Sequence, residues 1–172
     1  DAHGKLWLGY PRPSSRAGID LPLNLKPKFA KDGDFYALNE TSTKVAGTDT
    51  PWVFTSGARG ITRADVPLIG KGQPAATYTV RFYFAALAGD RPGQRVFDIK
   101  LQDKTVAKSF DVVAKAGGAE RALMVEFTNV AVTSDLALEL VSSQPAPDGA
   151  HQPLLSGLEV LRTDAKEIID RV

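Results

Sequence analysis

Residues 78–84 read Tyr-Thr-Val-Arg-Phe-Tyr-Phe, and their even-numbered positions, Tyr78, Val80, Phe82 and Phe84, are all aromatic or apolar. Alternation with a period of two puts those side chains on one face of an extended chain. The same residues on a helix would be scattered around it. The pattern returns at Phe97, Ile99 and Leu101, at Leu123, Val125 and Phe127, and at Leu136, Leu138 and Leu140. Between these runs stand turn compositions: Gly-Asp-Arg-Pro-Gly at 89–93, Ala-Gly-Gly-Ala at 116–119, and Ser-Ser-Gln-Pro-Ala-Pro-Asp-Gly at 142–149. Many short strands separated by such turns imply a β-sandwich or barrel.

Residues 93–112 contain nearly the same phrase twice, Val96-Phe97-Asp98-Ile99 and Ser109-Phe110-Asp111-Val112. The spacing predicts a hairpin turning at Gln102-Asp103-Lys104, with Val106–Val112 returning beside the first strand. Both phenylalanines then enter one core. Asp98 and Asp111 face outward and bond backbone amides of adjoining loops. Paired acids also occur in glycosidases, but nothing else in the chain supports a hydrolytic site.

At 172 residues the chain is long enough for one sizeable core. It reads as a single domain over 1–162 with a tail over 163–172, where Thr163 or Asp164 caps a short helix. Basic and acidic residues nearly cancel, 21 against 20, without a basic stripe, so no nucleic-acid partner is expected. No apolar run approaches the roughly 20 residues of a membrane span. Cysteine is absent, which excludes disulfides, thiolate metal sites and cysteine nucleophiles. The start at Asp1 reads as a mature form or an excised module. In the front half, Leu6-Trp7-Leu8 and Trp52-Val53-Phe54 look like strand pieces, and residues 31–50 read as long polar loops. No Gly-x-Ser-x-Gly elbow, paired-histidine metal motif or phosphate loop is present.

One ordered series goes further. Tyr78–Ala85 leads by a loop into Gly93-Gln94-Arg95-Val96-Phe97-Asp98-Ile99. Phe110–Val113, Ala116-Gly117 and Ser156–Leu161 follow, with Trp52-Val53 and Ser56-Gly57 before Gly60 in front. Over residues 78–162 the chain resembles the malectin and malectin-like carbohydrate-binding domains. The resemblance implies an all-β jelly-roll β-sandwich of the galactose-binding type. It also implies a non-catalytic module, binding an oligo- or polysaccharide through loops at one end, within a larger exported protein. The expected place is extracellular, periplasmic or cell-surface, and the expected parent is bacterial, with neighbouring domains as partners. A protein-docking module without sugar binding is the competing function. No cofactor is expected. A structural calcium ion occurs in many sandwiches of this type, although no acidic spacing here resembles a dedicated loop.

The chain also departs from the family. Adjacent aromatics in the loop before the Val-Phe-Asp strand form part of the family's sugar site. Here that loop is Ala85-Ala86-Leu87-Ala88-Gly89-Asp90-Arg91-Pro92, without an aromatic. The family's acidic residue before the last strand falls near His151, with Asp148 close by. Sugar binding needs an apolar face for the ring and polar groups for its hydroxyls. The candidates are Tyr36 or Trp52 as stacking faces and Asp90, Arg91, Asp148 and His151 as polar contacts. Each has a plainer reading: Trp52 alternates with Phe54 as core residues do, and Asp90-Arg91 suits a solvated turn. Tyr10 suits a cover over the sandwich edge, Trp7 the core, and His3 a structural or exposed position. The expected site lies where loops 31–51, 85–93 and 144–153 meet.

Overall fold

The computed structural model describes residues 1, 4–11 and 23–164. The strands are β1 (Lys28–Ala37), β2 (Ser56–Pro67), β3 (Ala76–Ala85), β4 (Val96–Leu101), β5 (Lys104–Asp111), β6 (Ala122–Val132), β7 (Asp135–Ser142), β8 (Leu154–Leu155) and β9 (Gly157–Arg162). A 3-10 turn at Pro51–Phe54 precedes β2, and a short helix α1 (Val112–Ala116) follows β5. One sheet runs β1-β2-β7-β4-β5 with β8 also on β2, and the other runs β6-β3-β9. All strand pairs are antiparallel. The fold is a β-sandwich, as the alternation predicts, and of the jelly-roll type that the resemblance implies.

The alternating residues meet between the sheets. Val80, Phe82, Phe84, Phe97, Ile99, Phe110, Leu136, Leu138 and Leu140 are buried, and the rings of Phe84, Phe97 and Phe110 touch one another at 5.3–5.8 Å. The predicted hairpin forms, with Phe97 opposite Phe110 in register. Gln102 and Asp103 both adopt positive φ, 48° and 63°, the geometry of a two-residue turn whose twist matches the strands. Asp98 accepts the Ser109 amide at 2.8 Å.

The second Asp differs from the expectation in one respect. The return strand ends at Asp111 rather than running to Val112, because Asp111 caps α1. Its carboxylate accepts the Ala114 amide at 3.0 Å and the Gly93 amide at 2.6 Å. Removing an N-cap acid costs about 1 kcal/mol, and here a second amide is orphaned with it. Asp111→Ala should therefore lower stability by about 1–2 kcal/mol in a urea titration, whereas Asp111→Asn should lose less.

The front half corrects several expectations. Residues 31–37, read as loop, complete β1, because Phe35 and Tyr36 pair with Ala58 and Gly57 of β2. Trp52-Val53-Phe54 is a 3-10 turn rather than a strand piece. Leu6-Trp7-Leu8 forms no strand. Trp7 is half-buried rather than core. Tyr10 does cover the edge: its hydroxyl donates to the Leu25 carbonyl and its ring packs on Phe35. Gly57 is forced by close approach, since a Cβ there would sit 2.4 Å from the Leu155 carbonyl oxygen. Thr163 and Asp164 bond the backbone of Thr77 at the start of β3. The predicted helix over 163–167 lies mostly outside the described residues, as does His3.

Candidate functional site

One end of the sandwich is held by a buried ion pair. Asp90, in the loop between β3 and β4, and Arg95, the residue just before β4, have side chains only 6% and 4% exposed. Arg95 Nε and Nη2 donate to the Asp90 carboxylate at 2.6 and 3.1 Å. This bidentate form fixes orientation as well as charge. The same carboxylate accepts the Leu87 amide at 2.9 Å. Arg95 Nη1 donates to the carbonyls of Gly149 and Gln152 at 2.8 and 3.0 Å. One guanidinium thus ties the loop at 87–94 to the loop at 148–153.

Gln152 extends the clamp to β1. It is fully buried, and its Nε2 donates to the Lys31 carbonyl at 2.6 Å. The Gly60 amide donates to the Pro153 carbonyl at 2.8 Å. Gly60 has φ +74°, and a Cβ on it would lie 2.7 Å from Gln152 Oε1, so only glycine lets β2 pass here.

The expected site residues do not all gather at this end. Asp90 is there, buried and paired with Arg95 rather than in a solvated turn. Arg91 is exposed on the same loop, its amide donating to Gln94 Oε1. Asp148 and His151 meet in the loop before β8, His151 Nδ1 lying 2.6 Å from Asp148 Oδ1. The His151 ring beside Asp148 holds that carboxyl below its ordinary range, helped by the amides of Ala150 and His151. Tyr36 is partly buried, with its hydroxyl covered. Burial raises its phenol's pKa, and its hydroxyl sits by Ser156 and near Arg95 and Asp90. A Tyr36→Ala change therefore disturbs packing and does not report on ligand alone. Trp52 is 41% exposed but meets Trp7 edge-on at 6.4 Å.

Two concavities stand out among the described residues. A cleft of about 300 Å³ opens at the braced end, bounded by Leu38, Thr43, Phe54, Leu87, Ala88 and Glu120. Leu87 and Ala88 stand where the resemblance places aromatics. A wider apolar groove of about 700 Å³ runs along the open side between the sheets, with Trp7, Tyr10, Trp52 and Leu161 on its walls. The outer face of β3 and β9 is closed on itself. Glu159 takes Lys5, Arg81 and the Tyr83 hydroxyl, and burial with that last bond pushes Tyr83 up to about 12.

Sequence reasoning missed Arg95, Gln152 and Glu120. Arg95 had a usable signal: it follows Asp90 by five residues and opens the Val-Phe-Asp strand. Gln152 and Glu120 are placed by tertiary contacts that no local pattern encodes. No group of three or more His, Cys, Asp or Glu suited to a metal occurs among the described residues, so no carboxylate cluster for calcium is found there. No described helix is long and apolar enough to cross a membrane.

The chain is a two-sheet jelly-roll β-sandwich with loops braced at one end, and solved structures share this fold. The ANXUR2 extracellular domain from Arabidopsis thaliana superposes with a TM-score of 0.63 at 14% identity, over 81% of this chain and 41% of that one. A Bacteroides uniformis beta-glucuronidase superposes at 0.60 and 15% identity, over 76% of this chain and 14% of that one. The plant peptide RALF23 in complex with FER and LLG2 gives 0.59 at 21%, over 79% and 40%. The malectin domain model matches residues 31–145, and the chain belongs to the malectin domain family.

Two probable receptor-like protein kinases of Arabidopsis thaliana are 30% and 29% identical over 90 and 93 residues, about half of this chain. The chain spans 11% of the length of these curated relatives. They are plant proteins and lend no support to a bacterial parent.

Proposed function

We propose that this chain is a non-catalytic recognition module displayed outside the cell, and that it takes the end of a glycan in the cleft at its braced end. The observation that carries this reading is the Arg95–Asp90 clamp, which fixes the Leu87–Ala88 wall of that cleft before any ligand arrives. Preorganised loops lose little freedom on binding. Leu38, Leu87 and Phe54 supply an apolar floor for ring C–H groups, and Glu120 and Thr43 supply hydroxyl partners. Without an aromatic platform the affinity should be modest. The receptor-like kinase relatives and the extracellular neighbours support placement outside the cell.

A glycan array with the chain, followed by titration of the best hit into Glu120→Ala, tests this. Loss of a hydrogen bond to a charged group is worth about 1.5–3 kcal/mol, so affinity should fall about tenfold or more. An empty array, or unchanged affinity in the variant, counts against the cleft.

A second reading is favoured by one observation. Leu6 (78% exposed), Trp52 and Leu161 leave apolar surface along the groove. Such surface suits a protein partner or a neighbouring domain. One solved neighbour is a complex with the peptide RALF23.

A further inference from the structure

The two sheets differ in width. One runs through five strands and the other through three, β6-β3-β9. The narrow sheet ends at β9, which pairs with β3 on one side only. Just past β9 the Thr163 amide donates to the Thr77 carbonyl at 2.9 Å, which sets the parity of the strand. Glu159 and Leu161 therefore aim their backbone groups at β3, opposite Arg81 and Thr79. Backbone direction alternates along an antiparallel strand, so the N–H and C=O groups of Leu158 and Val160 point off the sheet. No described residue hydrogen-bonds them.

The seam beside this edge is the apolar groove of about 700 Å³. Leu158 and Val160 form its wall on the β9 side, and both are only partly buried although they pack on the core. Its floor belongs to the wide sheet: Ala58, Ile61 and Ala64 of β2 with Phe35 of β1. Two of those β2 positions are alanine, so the floor is recessed and leaves room for larger side chains entering from outside. The wide sheet thus presents apolar surface that no strand of the narrow sheet covers.

The edge is also an open one. Unpaired edge strands are templates for a further strand, and bulges, lysine and proline are the usual defences. The pairings of β1, β5 and β6 each contain a register shift, and β1 and β5 carry lysines. Strand β9 has neither lysine nor proline and keeps unbroken register with β3. A small apolar molecule would fill the floor and leave the β9 amides unpaired. An extended chain meets both needs, because its backbone bonds β9 while alternate side chains, all on one face, enter the seam.

We infer that the groove is a strand-addition site: an extended segment of a partner polypeptide, apolar at alternate positions, pairs with the outer edge of β9 and closes the seam. This deepens the protein-partner reading of the groove. It is independent of the glycan cleft, with which the groove shares no lining residue.

The probe is a synthetic peptide of about eight residues, a usual strand length, alternating valine and threonine between terminal lysines. Its control has the same composition with the valines clustered. Binding is followed by titration, and amide hydrogen exchange is read by NMR with and without peptide. The alternating peptide should bind about tenfold or more tightly than the control, and it should slow exchange at Leu158 and Val160 about tenfold or more. Val160→Pro removes an amide that β3 does not use, and proline is tolerated where an edge N–H faces solvent. The variant should fold, as a thermal melt checks, and lose about tenfold or more in peptide affinity. If it does not fold, the exchange measurement on the unaltered chain still decides. Peptide binding that leaves both amides exchanging freely overturns strand addition and keeps the groove as an apolar protein site. Equal binding of the two peptides does the same. Slow exchange at both amides in the dilute chain alone overturns it too, since the edge is then already paired. So does protection that grows with protein concentration, which makes the occupant a second copy. If neither peptide binds, the protein-partner reading of the groove falls with the inference.

Discussion

Asp90→Ala should destabilise the fold by about 3–5 kcal/mol, the range found when one partner of a buried ion pair is removed. The reason is the position of Arg95. Its side chain is 4% exposed, and the Asp90 carboxylate is the only countercharge bonded to it among the described residues. Alanine leaves that guanidinium buried with only two carbonyl acceptors, those of Gly149 and Gln152. Denaturant melts check the magnitude. Replacing both partners, Asp90→Leu with Arg95→Met, should recover much of the loss, because the uncompensated charge then disappears. The recovery should stay incomplete, since the two carbonyls lose their donor. A loss below about 1 kcal/mol in Asp90→Ala would mean that water reaches Arg95 and that the loops are not clamped.

The second large effect lies in the core. Phe97→Ala should cost about 3–5 kcal/mol, the usual range for truncating a buried aromatic. Phe97 is fully buried, with ring centroids 5.8 Å from Phe84 and 5.6 Å from Phe110. Those rings come from β3 and β5, so the cavity opens where the two sheets meet and cannot close by a shift of one strand. Phe97→Leu should lose noticeably less. Urea melts of both variants provide the comparison, and a loss under about 1 kcal/mol for alanine would contradict the burial.

The back half of the chain was legible because β3, β4 and β7 each keep one face on the core. A period of two then appears directly in Phe82-Tyr83-Phe84, Phe97-Asp98-Ile99 and Leu136–Leu140. Strand β2 was not legible. Its buried positions are Ala58, Gly60, Ile61 and Ala64, small residues in a broken rhythm, because β2 passes close to β8 and bends at Gly60. Helix α1 is too short for a helical period to appear, and its one local signal is the Asp111 cap. The gathering of the candidate residues was partly legible, since Asp90, Asp148 and His151 do come to one end. Their roles were not. An Asp beside Gly and Pro looks solvated until Arg95 is brought onto it, and Tyr36 looks exposed in a polar stretch until Ser156 covers its hydroxyl.

Backbone amide chemical-shift mapping during titration with a glycan-array hit tests the central claim most directly. If the braced end is the binding site, shifts concentrate at Leu38–Thr43, at Ala86–Ala88 and around Glu120, the segments that bound the small cleft. Shifts confined to Trp7, Trp52 and Leu161 along the apolar groove would contradict it and would transfer the recognition surface to the open side of the sandwich.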